Sequence, residues 1–290
     1  KIPAGPLTTT GYRLNLLPGT YPCEPDEATN CVNQVADRAG TYAQPIIIRA
    51  YNGRGTVTLR GGLEIAHVSY LYLIDLILAG GGDIPVNISG NNLLHLYDGH
   101  YVLLRGVTLA GPPCDNDTCN NLQEVFKVNQ AQYVYVEDSS MGGSHHTVLD
   151  YFAVQYGHIL RSQFHTAAQW AIYLKGGTAY LHIEGNEVHH STLGFQAGQS
   201  SNLAVMQAPW LHYEAYDIKF VNNVLHDLPG VPVSVSGGYN ILIAHNTAYR
   251  VATRVDPGSR LVQSIHGERG CNATDELRNP LPTCQSLTTQ

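Results

Sequence analysis

Residues 169–199 read QWAIYLKGGTAYLHIEGNEVHHSTLGFQAGQ and contain the pattern from which the fold can be predicted. Two short apolar runs meet at a Gly176-Gly177 corner, and the second run ends at Gly185-Asn186. Another short apolar piece follows before the next run begins. Short β-type runs that alternate with glycine and asparagine corners predict strands joined by tight turns. The stretch therefore reads as one turn of a coil of β-strands.

The same phrase, a tyrosine followed by alternating apolar residues and a polar corner, recurs along the chain. Its copies begin at Tyr70, Tyr101, Tyr133, Tyr156, Tyr180, Tyr216 and Tyr239. The spacings are 31, 32, 23, 24, 36 and 23 residues, which indicates a core period of 23–24 residues with loop insertions. Leucine-rich repeats share this period but need an LxxLxLxxN pattern, which is absent, and a propeller blade needs roughly 40 residues. We therefore predict an all-β protein, a right-handed parallel β-helix with rungs of about 23–24 residues.

We expect the whole chain, residues 1–290, to form a single β-helix domain. Residues 1–40 are interpreted as an irregular N-terminal cap segment, residues 41–268 as the rungs, and residues 269–290 as a C-terminal disulfide loop. No clear cap covers the last rung in this interpretation. An open β-helix end is an exposed edge, so self-association through the ends is expected.

The amino-acid composition limits which binding partners and which cellular compartment are expected for this protein. Charged residues make up 13% of the 290 residues, with 29 glycines and 18 tyrosines, which is typical of a β-rich protein. The formal charge of −7 argues against nucleic acid, and it disfavours a polyanionic substrate unless the groove is locally basic or a cation bridges. No apolar run is long enough for a membrane span. The start at KIPAGP, without a signal peptide, resembles that of a mature secreted protein.

The six cysteines predict local disulfides in an oxidising compartment, and a zinc site is the weaker interpretation because no CxxC occurs. They form three close pairs: Cys23 with Cys31, Cys114 with Cys119, and Cys271 with Cys284. Glycosylation sequons occur at Asn87, Asn116 and Asn272. Both features favour a secreted, extracellular or cell-surface glycoprotein.

When the repeated phrases are aligned, two sets of identical residues fall at equivalent positions, and each set forms a column along the coil. Asn186, Asn223 and Asn246 share one, and asparagine tolerates the left-handed backbone of a corner. His165, His189 and His226 share the other. A histidine column could hold a metal, but parallel rungs about 4.8 Å apart do not direct any pair at one ion. We therefore interpret it as a stacked ladder and assign no metal ligand.

The strand that precedes each tyrosine phrase should form a second sheet, and alternation separates its inward and outward residues. The outward side chains include Lys127, Asp150 and Lys175 on successive rungs, with Tyr173 and Gln196 beside them. We call these five outward residues the strip, and they include two of only four lysines in the chain. A solvated sheet face with one ion pair is the plain alternative to a catalytic strip.

An insertion at 200–215 reads SSNLAVMQAPWLHYEA and adds Trp210, His212 and Tyr213. Aromatic rings beside a flat strand face can cradle a sugar by stacking, so these three are predicted substrate contacts. Equally, Trp210 could plug the edge of the core.

The LLPGTY opening at 16–21, the passage PIIIRAYNGRGTVTLRGG at 45–62 and the repeated rungs resemble the pectate-lyase-like superfamily of right-handed parallel β-helix proteins. The segment IYLKGGTAYLHIEGN resembles the rung of its lysine-dependent polysaccharide lyases, where a lysine takes the C5 proton of a uronic acid. By that resemblance Lys175 is the base, and its amine must be neutral to act. Asp150 and Lys127 would be its catalytic neighbours.

The chain departs from that family at two points. Some lyases carry an arginine one rung later, where this chain has Gln196. The calcium-dependent types need several acidic ligands, and only Asp150, Glu124 and Asp98 are available. Calcium is thus the one cofactor that the resemblance brings into consideration, and the cofactor is otherwise unassigned.

Two hypotheses follow. The first is a secreted lyase that acts on a uronic-acid polysaccharide by β-elimination. The second is a non-catalytic structural or adhesive surface protein, a fibre subunit or a glycan binder that self-assembles. The low charge and the open end favour the second, and the lysine-bearing rung favours the first.

Overall fold

A computed structural model describes residues 2–3, 5–22, 32–80, 91–112, 122–199, 201–255 and 259–265 of the chain. All six cysteines and the three sequon asparagines lie outside the described residues, so the disulfide and glycosylation predictions stay predictions. The predicted C-terminal loop at 269–290 also lies outside them. No helix among the described residues has the length and hydropathy needed to cross a membrane.

The described chain is almost entirely β-strand, with a 3₁₀ helix at Leu203–Val205. In chain order the strands are β1 (Gly5–Pro6), β2 (Tyr12–Leu16), β3 (Gly19–Tyr21), β4 (Val32–Ala39), β5 (Ile46–Ala50), β6 (Val57–Arg60), β7 (Gly62–Ile74), β8 (Ile77–Ala79), β9 (Asn92–Arg105), β10 (Thr108–Ala110), β11 (Glu124–Asn129), β12 (Gln132–Glu137), β13 (Ser140–Ser144), β14 (Thr147–Phe152), β15 (Gln155–Leu160), β16 (Gln163–Ala167), β17 (Trp170–Lys175), β18 (Thr178–Glu184), β19 (Glu187–His189), β20 (Leu193–Ala197), β21 (Ala215–Val221), β22 (Val224–Leu228), β23 (Val233–Ser236), β24 (Gly238–Ala244), β25 (Thr247–Val251) and β26 (Val262–Ile265).

These strands stack in three columns, and their pairings are parallel. The first column runs β1, β4, β7, β9, β11, β14, β17, β20, β23, β26. The second runs β2, β5, β7, β9, β12, β15, β18, β21, β24, because the long strands β7 and β9 span both columns. The third is a separate sheet of nine short strands, β3, β6, β8, β10, β13, β16, β19, β22, β25. The prediction of a parallel β-helix is therefore confirmed.

The core lies inside the coil and is built from in-register apolar side chains. Phe126, Leu149, Ile172 and Phe195 are successive register partners 23 residues apart. Each is at most 1% exposed. One rung cannot bury such a face alone, so each rung depends on its neighbours above and below. The inward set predicted from strand alternation is confirmed at these positions.

The N-terminal segment is more regular than predicted. Within residues 1–40, which were expected to be irregular, β2 pairs in parallel with β5 and β4 pairs with β7. The prolines and threonines that suggested irregularity lie mainly between these strands. Leu14 and Leu16 pack against the core, so the coil already begins there.

The asparagine column forms a hydrogen-bonded ladder at one corner. Asn186 Nδ2 donates to Asn223 Oδ1 at 2.9 Å, and Asn223 Nδ2 donates to Asn246 Oδ1 at 3.0 Å. The Asn223 and Asn246 oxygens also accept the backbone N–H groups of Asn186 and Asn223, and Asn186 Oδ1 accepts that of Ser162. The predicted column is therefore present.

The left-handed backbone falls one position earlier than predicted in this column. The residues with positive φ at this corner are those that precede the ladder: Gly106, Asp138, Arg161, Gly185, Asn222 and His245. The asparagines themselves do not have positive φ. Their side chains are used to bond the next rung, and the turn is made by the residue before.

The tyrosine column is a continuous aromatic stack over five rungs. Adjacent ring centroids in the series Tyr70, Tyr101, Tyr133, Tyr156 and Tyr180 are 4.5, 4.3, 5.0 and 4.8 Å apart. All five have positive φ, which costs roughly 1–2 kcal/mol per residue. Ring stacking offsets that cost.

The sequence alignment placed the last two tyrosines of the repeat in the Tyr180 column, and both belong one position before it. Tyr216 and Tyr239 are in register with Ala179 and not with Tyr180. Asp217 and Asn240 carry the positive φ in those rungs. The alignment was wrong because a tyrosine happens to lie immediately before the turn position in both rungs.

The histidine column is the stacked ladder that was predicted. His165 and His189 have ring centroids 5.1 Å apart, His189 and His226 are 5.0 Å apart, and Tyr249 continues the stack. Burial lowers the pKa of His189 to about 4, so its imidazole is neutral at pH 7.

The ladder at Asn223 predicts a large stability effect. Asn223→Ala leaves the buried N–H groups of Asn186 and the carbonyl oxygen of Ile183 without this partner. We expect the free energy of unfolding to fall by about 2–4 kcal/mol, since a buried unsatisfied group costs about 1–3 kcal/mol. Chemical denaturation measures this. The matched control is Asn15→Ala on an exposed position of β2; equal losses in the two variants would contradict the ladder's role.

Candidate functional site

The first column presents the predicted strip on its outer face. Lys127, Asp150, Tyr173 and Gln196 are successive register partners on β11, β14, β17 and β20. Lys175 lies two residues further along β17, in register with Phe152. The stacking thus brings residues of four rungs together, although Lys175 is displaced along the strand from the other four.

The two lysines converge on one buried carboxylate. Lys127 Nζ donates to Asp150 Oδ2, and Lys175 Nζ lies 3.4 Å from the same oxygen. The Asp150 side chain is 1% exposed, and the two lysine side chains are 17% and 19% exposed. Asp150 Oδ1 is buried and has no hydrogen-bond partner among the described residues. A solvated face with an ion pair does not fit this degree of burial.

Glu124 extends the group at the start of β11. Its Oε1 lies 3.9 Å from Lys127 Nζ, and its side chain is 14% exposed. Burial raises the pKa of Glu124 to about 7, against an opposing effect of the Lys127 charge. Close to neutral pH this carboxyl is therefore about half protonated, whereas an exposed glutamate is almost fully ionised.

Lys175 has the property required of an amine base. Burial lowers its pKa, and the nearby positive charge of Lys127 adds to this effect. Asp150 acts in the opposite direction, because a negative charge stabilises the ammonium form. The net direction is downward, so neutral amine is present at lower pH than for an exposed lysine.

Aromatic rings form the floor beside the lysines. Trp170 stacks on Tyr173 with ring centroids 4.9 Å apart, and Lys175 Nζ lies 4.0 Å from the centroid of the Tyr173 ring. His146 meets Trp170 edge-on at 5.2 Å, and burial lowers its pKa. Tyr173 points outward as predicted but is only 1% exposed. Its ring supports Trp170 and Lys175 and does not present a free face to a substrate.

The insertion after β20 is fastened to the corner that follows Lys175. Gln207 N donates to the carbonyl oxygen of Gly176 at 2.9 Å, and Gly176 N donates to Glu214 Oε2 at 3.1 Å. Gly177 has φ of 84°, and a Cβ there would lie 2.5 Å from the carbonyl oxygen of Gln207. The Gly176-Gly177 corner is therefore required both for the turn and for the close approach of the loop.

The predicted aromatic contacts lie on this loop. Trp210 is 53% exposed, so it does not plug the core. His212 is exposed, and Tyr213 stacks on Tyr239 at 4.9 Å. Gln196 donates to the carbonyl oxygen of Gly198 at 2.8 Å. The structure thus brings the loop beside the Lys175 rung, and a role of these residues in substrate binding remains a prediction.

Three residues of the candidate site were given too little weight or were missed in the sequence analysis. Glu124 was considered only as a sparse calcium ligand, while His146 and Trp170 were not considered. Glu124, Thr147 and Trp170 are register partners in the first position of their strands. The sequence pattern predicts these strands at 125–129, 148–152 and 171–175, one residue later than observed, and a one-residue extension of the alignment shows this column.

Calcium does not fit the described residues of the strip. Ca²⁺ takes six to eight oxygen ligands, and the strip offers the carboxylates of Asp150 and Glu124. Both ammonium groups already bind Asp150, and Glu124 is partly protonated near pH 7. Asp98, the third residue considered, contacts His67 at 2.9 Å and His100 at 3.5 Å.

Comparison with known proteins supports the fold. No family model and no curated protein matches the chain. Among solved structures, an alginate lyase from Paenibacillus sp. str. FPU-7 is 15% identical, with a TM-score of 0.57 over 89% of this chain and 93% of that one. The pectate lyase Pel9A is 10% identical, with a TM-score of 0.54 over 97% of this chain and 82% of that one. The chain shares their right-handed parallel β-helix fold.

Glu124 predicts a specific pH dependence of stability. Its folded-state pKa of about 7 exceeds the ordinary 4.5, so the folded protein keeps a proton that the unfolded chain has released. Stability from the neutral carboxyl is present below pH 4.5 and is lost as the pH rises through about 7. Glu124→Gln removes this loss, which is on the order of 3 kcal/mol.

The measurement is the difference in unfolding free energy between the wild type and Glu124→Gln at pH 4.5 and at pH 8. We expect the variant to gain on the wild type at pH 8. The difference at pH 4.5 is the internal control, because other titrating groups are common to both proteins. A difference that is the same at both pH values would contradict a raised pKa.

Proposed function

We propose that this protein is a secreted carbohydrate-active enzyme that cleaves a uronic-acid-containing polysaccharide by β-elimination, with Lys175 as the base. The observation that carries the proposal is the buried Lys127–Asp150–Lys175 group on the outer face of the first column. Two similar structures, an alginate lyase and a pectate lyase, support the reaction class. The aromatic loop beside the group supports a sugar substrate.

In β-elimination a base takes the proton from C5 of the uronic acid, the C4–O4 bond breaks, and a C4=C5 double bond forms. A neutral Lys175 amine can accept that proton. Asp150, with Oδ2 at 3.4 Å from Nζ, stabilises the ammonium that results. The buried carboxylate therefore stabilises the ammonium that proton transfer produces. Burial lowers the pKa of Lys175 and so keeps part of the amine neutral before the transfer.

Two other groups complete the chemistry. Negative charge grows on the substrate carboxyl as the C5 proton leaves, and the Lys127 ammonium on the same strip can stabilise it. The leaving O4 needs a proton, and Glu124 holds one in a large fraction of molecules near pH 7. With Glu124 protonated and Lys175 neutral, the Lys127 and Asp150 charges cancel, so the strip carries no net negative charge although the whole chain carries −7.

The alternative is a non-catalytic fibre subunit or glycan binder. Such a protein needs exposed faces and ends but has no need of a desolvated lysine pair around a carboxylate, which is costly to bury. The strip therefore favours the enzyme. Self-association through the ends remains a prediction, because the residues that follow the last strand lie outside the described part of the chain.

The first prediction concerns activity and its dependence on Lys175. Incubation with a panel of polyuronates should raise ultraviolet absorbance as the conjugated double bond forms. Lys175→Met should lower the rate by about 10²–10⁴-fold, the usual range for loss of a general base. Lys219→Met is the matched control, since Lys219 is exposed on β21. No absorbance change with any polyuronate would refute the lyase.

The second prediction concerns the pH profile of kcat/KM. The profile should be bell-shaped, because Lys175 must have lost its proton and Glu124 must have kept one. The Lys175 midpoint should lie below the ordinary lysine pKa of 10.5, because burial and Lys127 lower its pKa. Lys127→Gln removes the repelling charge and leaves Asp150 to stabilise the ammonium, so the midpoint should move to higher pH. A midpoint that stays or moves to lower pH would contradict Lys175 as the titrating base.

A further inference from the structure

A second group of ligand-bearing side chains lies on the third column, on a different sheet from the Lys–Asp–Lys strip. It consists of His190, which follows β19, together with His226 and Asp227 of β22. A ring nitrogen of each histidine and a carboxylate oxygen of Asp227 all lie within 4.8 Å of one another. His189 lies beside the group, with its Nδ1 2.7 Å from His190 Nδ1. Nothing in the chemistry proposed above uses these residues.

The histidine ladder alone could not bind an ion, but His190 changes the geometry. Stacked rings such as His189 and His226, with centroids 5.0 Å apart, are nearly parallel at 6°. A tetrahedral zinc with bonds of about 2.0–2.1 Å requires donors roughly 3.3 Å apart that converge on one point. The His190 ring is perpendicular to both, at 87° to His189 and 84° to His226. The His190 ring is therefore not a further member of the stack, and one of its nitrogens lies within 4.8 Å of donor atoms of both His226 and Asp227.

The neighbours of these residues are those that orient metal ligands. Glu187 Oε1 lies 2.9 Å from His226 Nε2, which directs the other ring nitrogen, Nδ1, to Asp227 Oδ2 at 2.7 Å. Metal-binding histidines commonly donate their second N–H to a carboxylate in this way. Arg250 holds the Asp227 carboxylate with two further hydrogen bonds. The His226 ring and the Asp227 carboxylate are thus oriented by their neighbours, and His190 is exposed at the edge of the group.

From this geometry we propose a binding site for a divalent transition-metal ion, with Zn²⁺ as the reference, ligated by His190, His226 and Asp227. Two imidazole nitrogens and one carboxylate oxygen suit zinc and related ions, whereas Ca²⁺ and Mg²⁺ prefer ligand sets of oxygen alone. The ion replaces the proton shared by His226 Nδ1 and Asp227 Oδ2. It cross-links the rung of β19 to the rung of β22, so its role is to stabilise the coil.

The test uses untagged full-length protein, stripped of metal with a chelator and titrated with ZnCl₂ by calorimetry. Thermal unfolding with and without Zn²⁺ is the second readout, because a ligand of the folded state alone raises Tm. The variant is His190→Asn, since His190 is exposed with φ of 51° and asparagine tolerates that backbone. The control is His245→Asn, which is exposed with φ of 57° and lies outside the group.

We expect one tight Zn²⁺ per chain, a higher Tm with Zn²⁺, and little effect of Ca²⁺ or Mg²⁺. His190→Asn should weaken Zn²⁺ binding at least about 10–100-fold, the loss that even an outer partner of a ligand causes, and His245→Asn should not. Without metal, both variants should unfold like the wild type, which shows that the fold is intact. Absence of Zn²⁺ binding, or binding that His190→Asn leaves unchanged, would overturn the site and place any bound zinc elsewhere on the chain.

Discussion

Parallel stacking in register is the constraint on which this structure depends. Each strand bonds to the equivalent strand one rung away, about 4.8 Å along the axis, so every residue meets the same type of position above and below. That repetition explains why the coil contains an asparagine ladder, a five-ring tyrosine stack and a histidine stack. Each ladder also offsets the cost of the left-handed backbone positions that turn the chain at the corners.

The same constraint creates the charged site. Residues 23 apart in sequence become neighbours, and so two lysines reach one carboxylate from the rungs on either side of it. Burying such a group is seldom the cheapest way to stabilise a fold, since hydrophobic side chains of similar size often do as well or better. A buried carboxylate between two lysine side chains, with a glutamate of raised pKa beside it, is therefore the observation that favours the proposed reactive role over a purely structural one.

Much of this architecture could be predicted from the sequence, because period and alternation are properties of the chain itself. The 23-residue spacing placed Lys127 opposite Asp150, and the pattern of apolar residues placed Phe126 and Leu149 inside. Local turn geometry was harder to predict, since a glycine or asparagine at a corner does not say which of two adjacent residues takes positive φ. Burial of the outer face at Tyr173 was also missed, because it depends on Trp170 and on neighbouring rungs.

The spacing of the rungs determines where insertions and deletions can be accepted during evolution. From Glu124 to Leu193 the strands of the first column follow one another at 23 residues, and the longer excursions occur before and after this block. The other two columns have one rung of 24 residues here, because a residue is added at the Gly176-Gly177 corner. Chain length can therefore vary by gain or loss of material at the flanks while the charged residues keep their mutual positions. A single-residue deletion between Phe152 and Trp170 is different, since it would move Lys175 out of phase with Asp150. Insertions and deletions are thus least compatible with the charged site within this block of the chain.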